Sequence, residues 1–181
     1  MKNSKTKKKR ILNAAQVKGI FERFAREMAK HYGSLDQVVF IGVRTRGPYV
    51  AKRLAAIIKK RGGKEIPVGE MDITLYRDDL DALLPGGAID HTRIPFDIAK
   101  KIDVLNHDFL HTGRTEPAAV DHLIDLGRPR MIHLAVMIDR GGRELPVAAN
   151  YVGKTIKLAA AGQVQVRLKE VDRTDEVVVE T

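Results

Sequence analysis

An α/β chain with a doubly wound, mostly parallel sheet is what the sequence predicts, on three observations. Short apolar runs rich in β-branched residues, such as 38–43 and 131–139, alternate along the chain with segments whose apolar residues recur at helical spacing. The runs are apolar at successive positions rather than at every second one, as expected of strands covered by helices on both faces. The strand ends near Gly42, Asn106 and Asp139 each lead into a loop carrying charge, glycine or both, and in such sheets ligands sit at the carboxyl ends of the strands.

Taken in order, Asn13 to Gln16 has the form of a capping box with Asn in the cap position. Val17, Ile20, Phe21, Phe24 and Met28 follow on one helical face, and Gly33 ends the helix. The run V-V-F-I-G-V from Val38 to Val43 predicts a buried strand. It passes through Arg44, Thr45, Arg46 and Gly47 into Pro48, which suits a first helical turn. Val50, Leu54, Ile57 and Ile58 are the apolar side of that helix, and Gly62 and Gly63 stop it. Pro67 to Tyr76 predicts a third strand, followed by a polar loop from Arg77 to Thr92 long enough to carry function. Ile94 to Ile98 is expected to be a further strand, at an edge because of Pro95. A strand into Asn106, a helix from Pro117 to Leu126, a strand from Met131 to Asp139 and two short strands, Gln163 to Leu168 and Glu176 to Glu180, complete the chain.

With 181 residues, 44% of them hydrophobic, one domain with its own core is expected. The absence of cysteine excludes disulfides and thiolate metal sites. No apolar run approaches the roughly 20 residues of a membrane helix, and the N-terminal residues lack the apolar core of a secretory signal, so a cytoplasmic protein without membrane contact is expected. The net charge of +9 suggests a polyanionic partner or charged small ligands. Six of those charges lie between Lys2 and Arg10. Residues 1–10 are therefore expected to be a basic, disordered tail, and residues 11–181 the domain.

The stretch Asp103 to Glu116, D-V-L-N-H-D-F-L-H-T-G-R-T-E, reads as strand, loop and helix start. Such a loop suits a phosphate. Gly113 lets the backbone come close, Thr112 and Thr115 offer hydroxyls, Arg114 offers charge, and the amides of the first helical turn face the anion. Taken alone, T-G-R-T is equally compatible with a plain glycine turn.

Five segments in register strengthen the first reading. They are Gly42 to Gly47 (G-V-R-T-R-G), Asp72 to Asp79 (D-I-T-L-Y-R-D-D), Thr112 to Thr115, Leu126 to Pro129 (L-G-R-P) and Asp139 to Pro146 (D-R-G-G-R-E-L-P). Together they resemble the pyrimidine-operon regulatory protein / uracil phosphoribosyltransferase family, PyrR, over nearly the whole chain. The resemblance implies a type I phosphoribosyltransferase fold with a small hood, acting on phosphoribosyl pyrophosphate (PRPP) with Mg²⁺. It implies uracil as the second substrate and UMP as the product. It also implies UMP-dependent binding of a pyrimidine-operon mRNA stem-loop that promotes transcription attenuation, and a homodimer or homotetramer. By the same resemblance Thr112, Gly113, Arg114 and Thr115 would hold the 5′-phosphate, and Arg44, Thr45, Arg46 and Gly47 the pyrophosphate. Arg77, with Asp78 and Asp79, would close over PRPP, and Asp139 and Arg140 would lie beside uracil. The residue types fit the chemistry: a leaving pyrophosphate needs clustered cations and Mg²⁺, and an oxocarbenium-like ribose needs water excluded.

The chain departs from the family at the ribose. Two adjacent acidic residues usual there read His107 and Asp108, preceded by Asn106 in place of an apolar residue. A charge-assisted hydrogen bond is worth roughly 1.5–3 kcal/mol, so the missing carboxylate is expected to weaken PRPP binding or turnover about ten- to a hundredfold unless His107 replaces it. His111 stands where the family has Tyr and purine relatives carry an Asp proposed as general base; it either takes a proton from the base or packs beside the phosphate. A metal cluster built on His107, Asp108 and His111 is disfavoured because strand and loop do not put both imidazoles on one face. Glu116 either caps the helix or weakens the phosphate site. His31, His91, His122 and His133 read as structural.

Three functions remain open on this basis: a uracil phosphoribosyltransferase that also regulates; a nucleotide-sensing RNA regulator with little catalysis, favoured by His107; and a phosphoribosyltransferase for another base, favoured by His111. Arg23, Arg26, Lys52, Arg53, Lys59, Lys60 and Arg61 lie on helical faces, either as an RNA surface or as ordinary solvated charge.

Overall fold

The computed structural model of the chain describes residues 8–73, 92–158 and 162–180. Strands β2 (Val38–Val43), β3 (Val68–Met71), β4 (Ile102–Leu110), β5 (Met131–Asp139) and β6 (Tyr151–Thr155) form one sheet in the order β3-β2-β4-β5-β6, with every pairing parallel. Helix α1 (Ala14–Tyr32) and helix α2 (Gly47–Lys60) cover one face. There Phe21, Phe24, Val50 and Leu54 pack on Phe40, Val104 and Met137. Helix α3 (Thr115–Leu126) covers the other, with Ala119 and Leu123 against Val39, Ile41, Leu105 and Val136. The expected α/β, doubly wound architecture is thus present. No helix among the described residues is long and apolar enough to cross a membrane.

The predicted capping box of α1 is formed: the Gln16 amide donates to Asn13 and the Asn13 amide to Gln16, each at 2.9 Å. At the far end Gly33 adopts φ +64°, the left-handed conformation in which glycine meets no Cβ penalty.

A second sheet is antiparallel, in the order β1-β8-β7, from β1 (Lys8–Leu12), β7 (Gln163–Arg167) and β8 (Glu176–Glu180). A short helix, α4 (Lys169–Asp172), joins β7 to β8. Leu12, Val166, Leu168 and Val177 bring it into the core shared by α1 and α2.

Several boundaries need correction. The expected tail of residues 1–10 gives way to strand at Lys8: the backbone of β1 pairs with β8, Lys8 reaches Glu180 at 2.7 Å, and Arg10 faces Glu176. Residues 1–7 lie outside those described. The expected strand from Ile94 to Ile98 is not formed. Arg93 and Glu70 exchange one pair of backbone hydrogen bonds, 2.7 and 2.9 Å, and Pro95 then has no N–H with which to continue the ladder. The chain instead packs Ile98 under Gly127. Strand β6 and helix α4 were not expected from the sequence at all, and α3 starts at Thr115, two residues before Pro117.

Candidate functional site

The strand order sets the position of the site. From β2 the chain leaves through α2 to β3 on one side, and from β4 it leaves through α3 to β5 on the other. The crevice between these departures is the topological switch point, where doubly wound sheets bind their ligands. Residues 44–47 follow β2, residues 111–114 follow β4, and residues 140–143 follow the next strand, β5. The three loops predicted to converge are therefore neighbours at one sheet end.

Two glycines let the first loop settle. A Cβ on Gly42 would overlap the backbone of Pro48, and one on Gly47 would overlap the carbonyl oxygen of Asn106. Helix α2 thus begins in direct contact with β2 and β4. The Arg44–Thr45 peptide is cis. Arg44, Thr45, Tyr49, Glu70 and Asp72 line a cavity of about 260 Å³ beside this loop. Lys52 donates to Glu70 at 2.6 Å, and that hydrogen bond holds the Glu70 carboxyl below its usual range. Arg46 donates two hydrogen bonds, 3.0 and 2.7 Å, to Asp172 of α4, so the small sheet anchors the loop. The pair lowers the Asp172 carboxyl and raises the Arg46 guanidinium.

The second loop runs from Leu110 to Thr115. Gly113 has φ +83°, and a Cβ there would press on Leu145 and Val147. The carbonyl of Thr112 accepts from the amides of Glu144 and Leu145 at 2.8 and 3.0 Å. Arg114 donates to Glu144 at 2.7 Å. The amides that open α3 receive no side-chain cap, and Arg114 stands in the N-cap position. The loop therefore leads into a helix N-terminus whose first amides have no side-chain cap.

Arg143 ties the third loop to the second. It donates to His111 O at 2.7 Å, to Val147 O at 2.9 Å and to Asp139 Oδ2 at 2.7 Å. Asp139 also accepts from the Gly141 amide at 2.8 Å. Arg140 Nη1 lies 3.3 Å from His111 Nδ1. Burial first, then the Arg140 guanidinium, pushes His111 below its ordinary value, so it is a neutral imidazole at pH 7. Lysine at 143 reaches one of the three acceptors at a time. We expect Arg143→Lys to cost about 1–3 kcal/mol and to speed hydrogen exchange at the Glu144 and Leu145 amides, measured on the same sample.

His107 and Asp108 lie at the mouth of the crevice on β4. His107 Nδ1 is 3.0 Å from Glu116 Oε1, and its Nε2 is 3.5 Å from Asp108 Oδ1. Glu116, on the first turn of α3, is 4% exposed. Its carboxylate, one residue beyond Thr115, faces the ring of His107. Asn106 is buried and donates to Val104 O at 2.7 Å.

Of the residues expected at the site, Arg44, Thr45, Arg46, Gly47, His107, Asp108, His111, Thr112, Gly113, Arg114, Thr115, Asp139 and Arg140 lie on these three adjacent strand ends and loops. Arg77, Asp78 and Asp79 fall outside the described residues, as does His91. Among the described residues no group of three or more His, Asp or Glu is placed to hold a metal ion. His31 and His133 sit in a ring cluster with Tyr32 and Tyr151, each imidazole Nδ1 near a phenol oxygen, at 2.9 and 2.6 Å. His122 is buried near Thr92.

Arg143 and Asp172 were missed from the sequence, and the contact of Glu116 with His107 was not foreseen. Only Arg143 left a local signal, four residues after Asp139. The basic helical faces also change meaning: Arg23 binds the carbonyls of Val152 and Gly153, Arg53 binds Glu170 and Asp175, and Lys52, Lys59 and Arg61 pair with Glu70, Glu65 and Glu22.

Residues 8–170 match the phosphoribosyl transferase domain family. A bifunctional protein PyrR of Chloroflexus aurantiacus is 48% identical over 171 residues, 94% of each chain. One of Thermus thermophilus is 45% identical over 170 residues, again 94% of each. Among solved structures, a hypoxanthine phosphoribosyltransferase of Staphylococcus aureus superposes with a TM-score of 0.71 at 18% identity, covering 94% of this chain and 90% of its own. A hypoxanthine-guanine phosphoribosyltransferase of Bacillus anthracis gives 0.72 at 15% identity, covering 97% and 100%. At such identities the structural likeness speaks for the fold alone.

Proposed function

The chain belongs to the phosphoribosyltransferase family and, within it, to the PyrR proteins, and from that premise we propose that it joins uracil to the phosphoribosyl group of PRPP, releasing pyrophosphate and UMP. The same pocket, filled by UMP, favours binding of a pyrimidine-operon mRNA stem-loop. The observation that carries this reading is the convergence of an uncapped helix N-terminus, an arginine-bearing loop and a neutral histidine at one switch point.

The amides and hydroxyls of Thr112 to Thr115 hold the 5′-phosphate against the positive end of α3. Arg44 and Arg46, with the backbone of Thr45 and Gly47, hold the pyrophosphate and stabilise the charge it gains as the glycosidic bond breaks. Asp108 and His107 face the ribose. Asp139, Arg140 and the backbone of residues 141–142 border the base, and neutral His111 accepts a proton on that side. Arg77 closes over PRPP from the loop outside the described residues. Asp72 and Asp108 offer hard oxygen donors that suit a Mg²⁺ ion carried in by PRPP. Bound, it neutralises part of the pyrophosphate charge.

A second reading, a nucleotide sensor with slow turnover, is favoured by one observation: Arg46 and Arg114, two of the cations assigned to anions, are already paired with Asp172 and Glu144. Pyrophosphate release from PRPP and Mg²⁺, with uracil, hypoxanthine and guanine compared, separates the readings. Release with uracil alone supports the enzyme; release with a purine overturns the choice of base; no release, with UMP-dependent stem-loop binding that survives moderate salt, supports the sensor. Loss of RNA binding at moderate salt whether or not UMP is present would leave only non-specific attraction. A cytoplasmic homodimer or homotetramer belongs to the same proposal, and sedimentation of the purified protein tests the assembly.

A further inference from the structure

We propose that Asp172 is a positioning residue of the pyrophosphate loop: it clamps one edge of the Arg46 guanidinium, so that the other edge is set in advance to receive the leaving pyrophosphate. The inference rests on the phosphoribosyl-transfer reading above. It gives a part in that reading to the small sheet, which supplies none of the groups placed there at the phosphate, the ribose or the base.

Arg46 donates from Nε to Asp172 Oδ2 at 3.0 Å and from Nη2 to Asp172 Oδ1 at 2.7 Å. Two parallel bonds from one edge of a planar guanidinium fix both its place and its plane. The single N–H of Nε is used, whereas both donors of Nη1 have no partner among the described residues. The guanidinium is raised by its bonds to Asp172 first and further by the charge of Asp108, which puts the side chain between α4 and the carboxylate on β4. Its backbone is fixed as well, because the Arg46 carbonyl accepts from the amides of Tyr49 and Val50 at 3.0 and 3.1 Å. Asp172 is held in turn. Its Oδ2 accepts from the Leu168 amide at 2.9 Å, and Leu168 is part of the core.

An exposed ion pair orders its partners little. This one is 29% and 18% exposed, bidentate and tied to the core through the Leu168 amide. A free arginine loses much of its rotamer freedom when it grips an anion; one already held loses little, so the same contacts bind the ligand more tightly. The carboxylate offsets part of the Arg46 charge. A pyrophosphate on the Nη1 edge nevertheless meets the cation at hydrogen-bond distance and the carboxylate only across the whole guanidinium, so attraction outweighs repulsion. Arg53 keeps the small sheet in place without Asp172. From α2 it donates to Glu170 at 2.8 and 2.5 Å and to Asp175 at 2.7 Å. Asp172→Asn, which has the same shape, therefore loosens Arg46 without releasing α4.

The test uses the full-length protein, with Mg²⁺-PRPP and UMP bound separately in equilibrium dialysis. The two ligands share the 5′-phosphate, and only PRPP carries the pyrophosphate. Asp172→Asn should weaken PRPP binding about tenfold and leave UMP bound as in the native chain. Asp172→Glu, which keeps the charge, should lose less than Asp172→Asn. Arg46→Lys, whose ammonium cannot make the fork, should also lose about tenfold, and the double variant should lose much less than the product of the two. Unchanged or tighter PRPP binding in Asp172→Asn would overturn the proposal, tighter binding because it would make Asp172 a competitor for Arg46. An equal loss for PRPP and UMP with a lowered melting temperature would overturn it too, since that is the mark of a merely structural pair. An Arg46→Lys protein that binds PRPP as the native chain does, or a native chain that binds none, overturns the pyrophosphate assignment and with it the role of Asp172. The Arg46 ¹⁵Nε resonance, slow to exchange with water in the native chain and fast in Asp172→Asn, then still reports the clamp.

Discussion

Gly47→Ala is expected to lower the affinity for PRPP about a hundredfold while leaving the far end of the sheet folded. The glycine opens α2, and its backbone lies against the carbonyl oxygen of Asn106, where an added methyl has no room. The obstacle is backbone on both sides, so no rotamer change relieves it. Overpacking of this kind costs roughly 1–3 kcal/mol, and here the relief available is to lift residues 44–47 away from β4. That separates the loop proposed to hold pyrophosphate from the strand that carries Asp108. Binding should therefore suffer more than folding. Equilibrium dialysis with PRPP and a thermal melt, run together, check both halves. Gly19→Ala is the control: it lies exposed in α1 with nothing within 4 Å of the added Cβ, and should stabilise by up to about 1 kcal/mol. A Gly47→Ala protein that binds PRPP like the native chain would sink the close-contact account of this loop.

Legibility in the sequence followed the distance over which each element is decided. The strand 131–139, the strand 38–43 and the capping box of α1 are written in contiguous residues, and they stand where the pattern puts them. Strand β1 is not, because Lys8 and Arg10 look like solvated tail until Glu180 and Glu176 are brought opposite them. The Arg46–Asp172 anchor spans 126 residues and leaves no local trace. His107 and Glu116 are only nine residues apart, yet they too were unreadable as a pair. Placing the helix start at Pro117 leaves Glu116 in the loop; starting α3 at Thr115 turns the same carboxylate inward onto the ring. The helix start thus decides which way that glutamate faces.

Asp103→Asn is expected to stabilise the protein by about 2–4 kcal/mol at pH 8 and hardly at all near pH 4. Asp103 sits at the start of β4, paired with Val39 and Ile132 in the neighbouring strands and 0% exposed. Neither carboxylate oxygen has a hydrogen-bond partner. Burial alone pushes this carboxyl up to about 7, from an ordinary 3.8. Below pH 3.8 it is protonated whether the chain is folded or not, and it has no effect on the balance. Between 3.8 and 7 the folded chain keeps a proton that the unfolded chain has lost, so stability falls as pH rises. Above 7 the folded chain bears a buried, unpaired charge and the full penalty, about 4 kcal/mol from the separation of the two values. Asparagine has the shape of the protonated acid and never ionises, so it removes the penalty without opening a cavity. Urea unfolding of both proteins at pH 4.5 and pH 8 gives the comparison, because every other titrating group contributes equally to each. A stability difference that is the same at both pH values would mean that the carboxyl is paired or hydrated, and this account of Asp103 would fail. The site lies at the opposite end of β4, so PRPP binding by Asp103→Asn should match the native protein throughout.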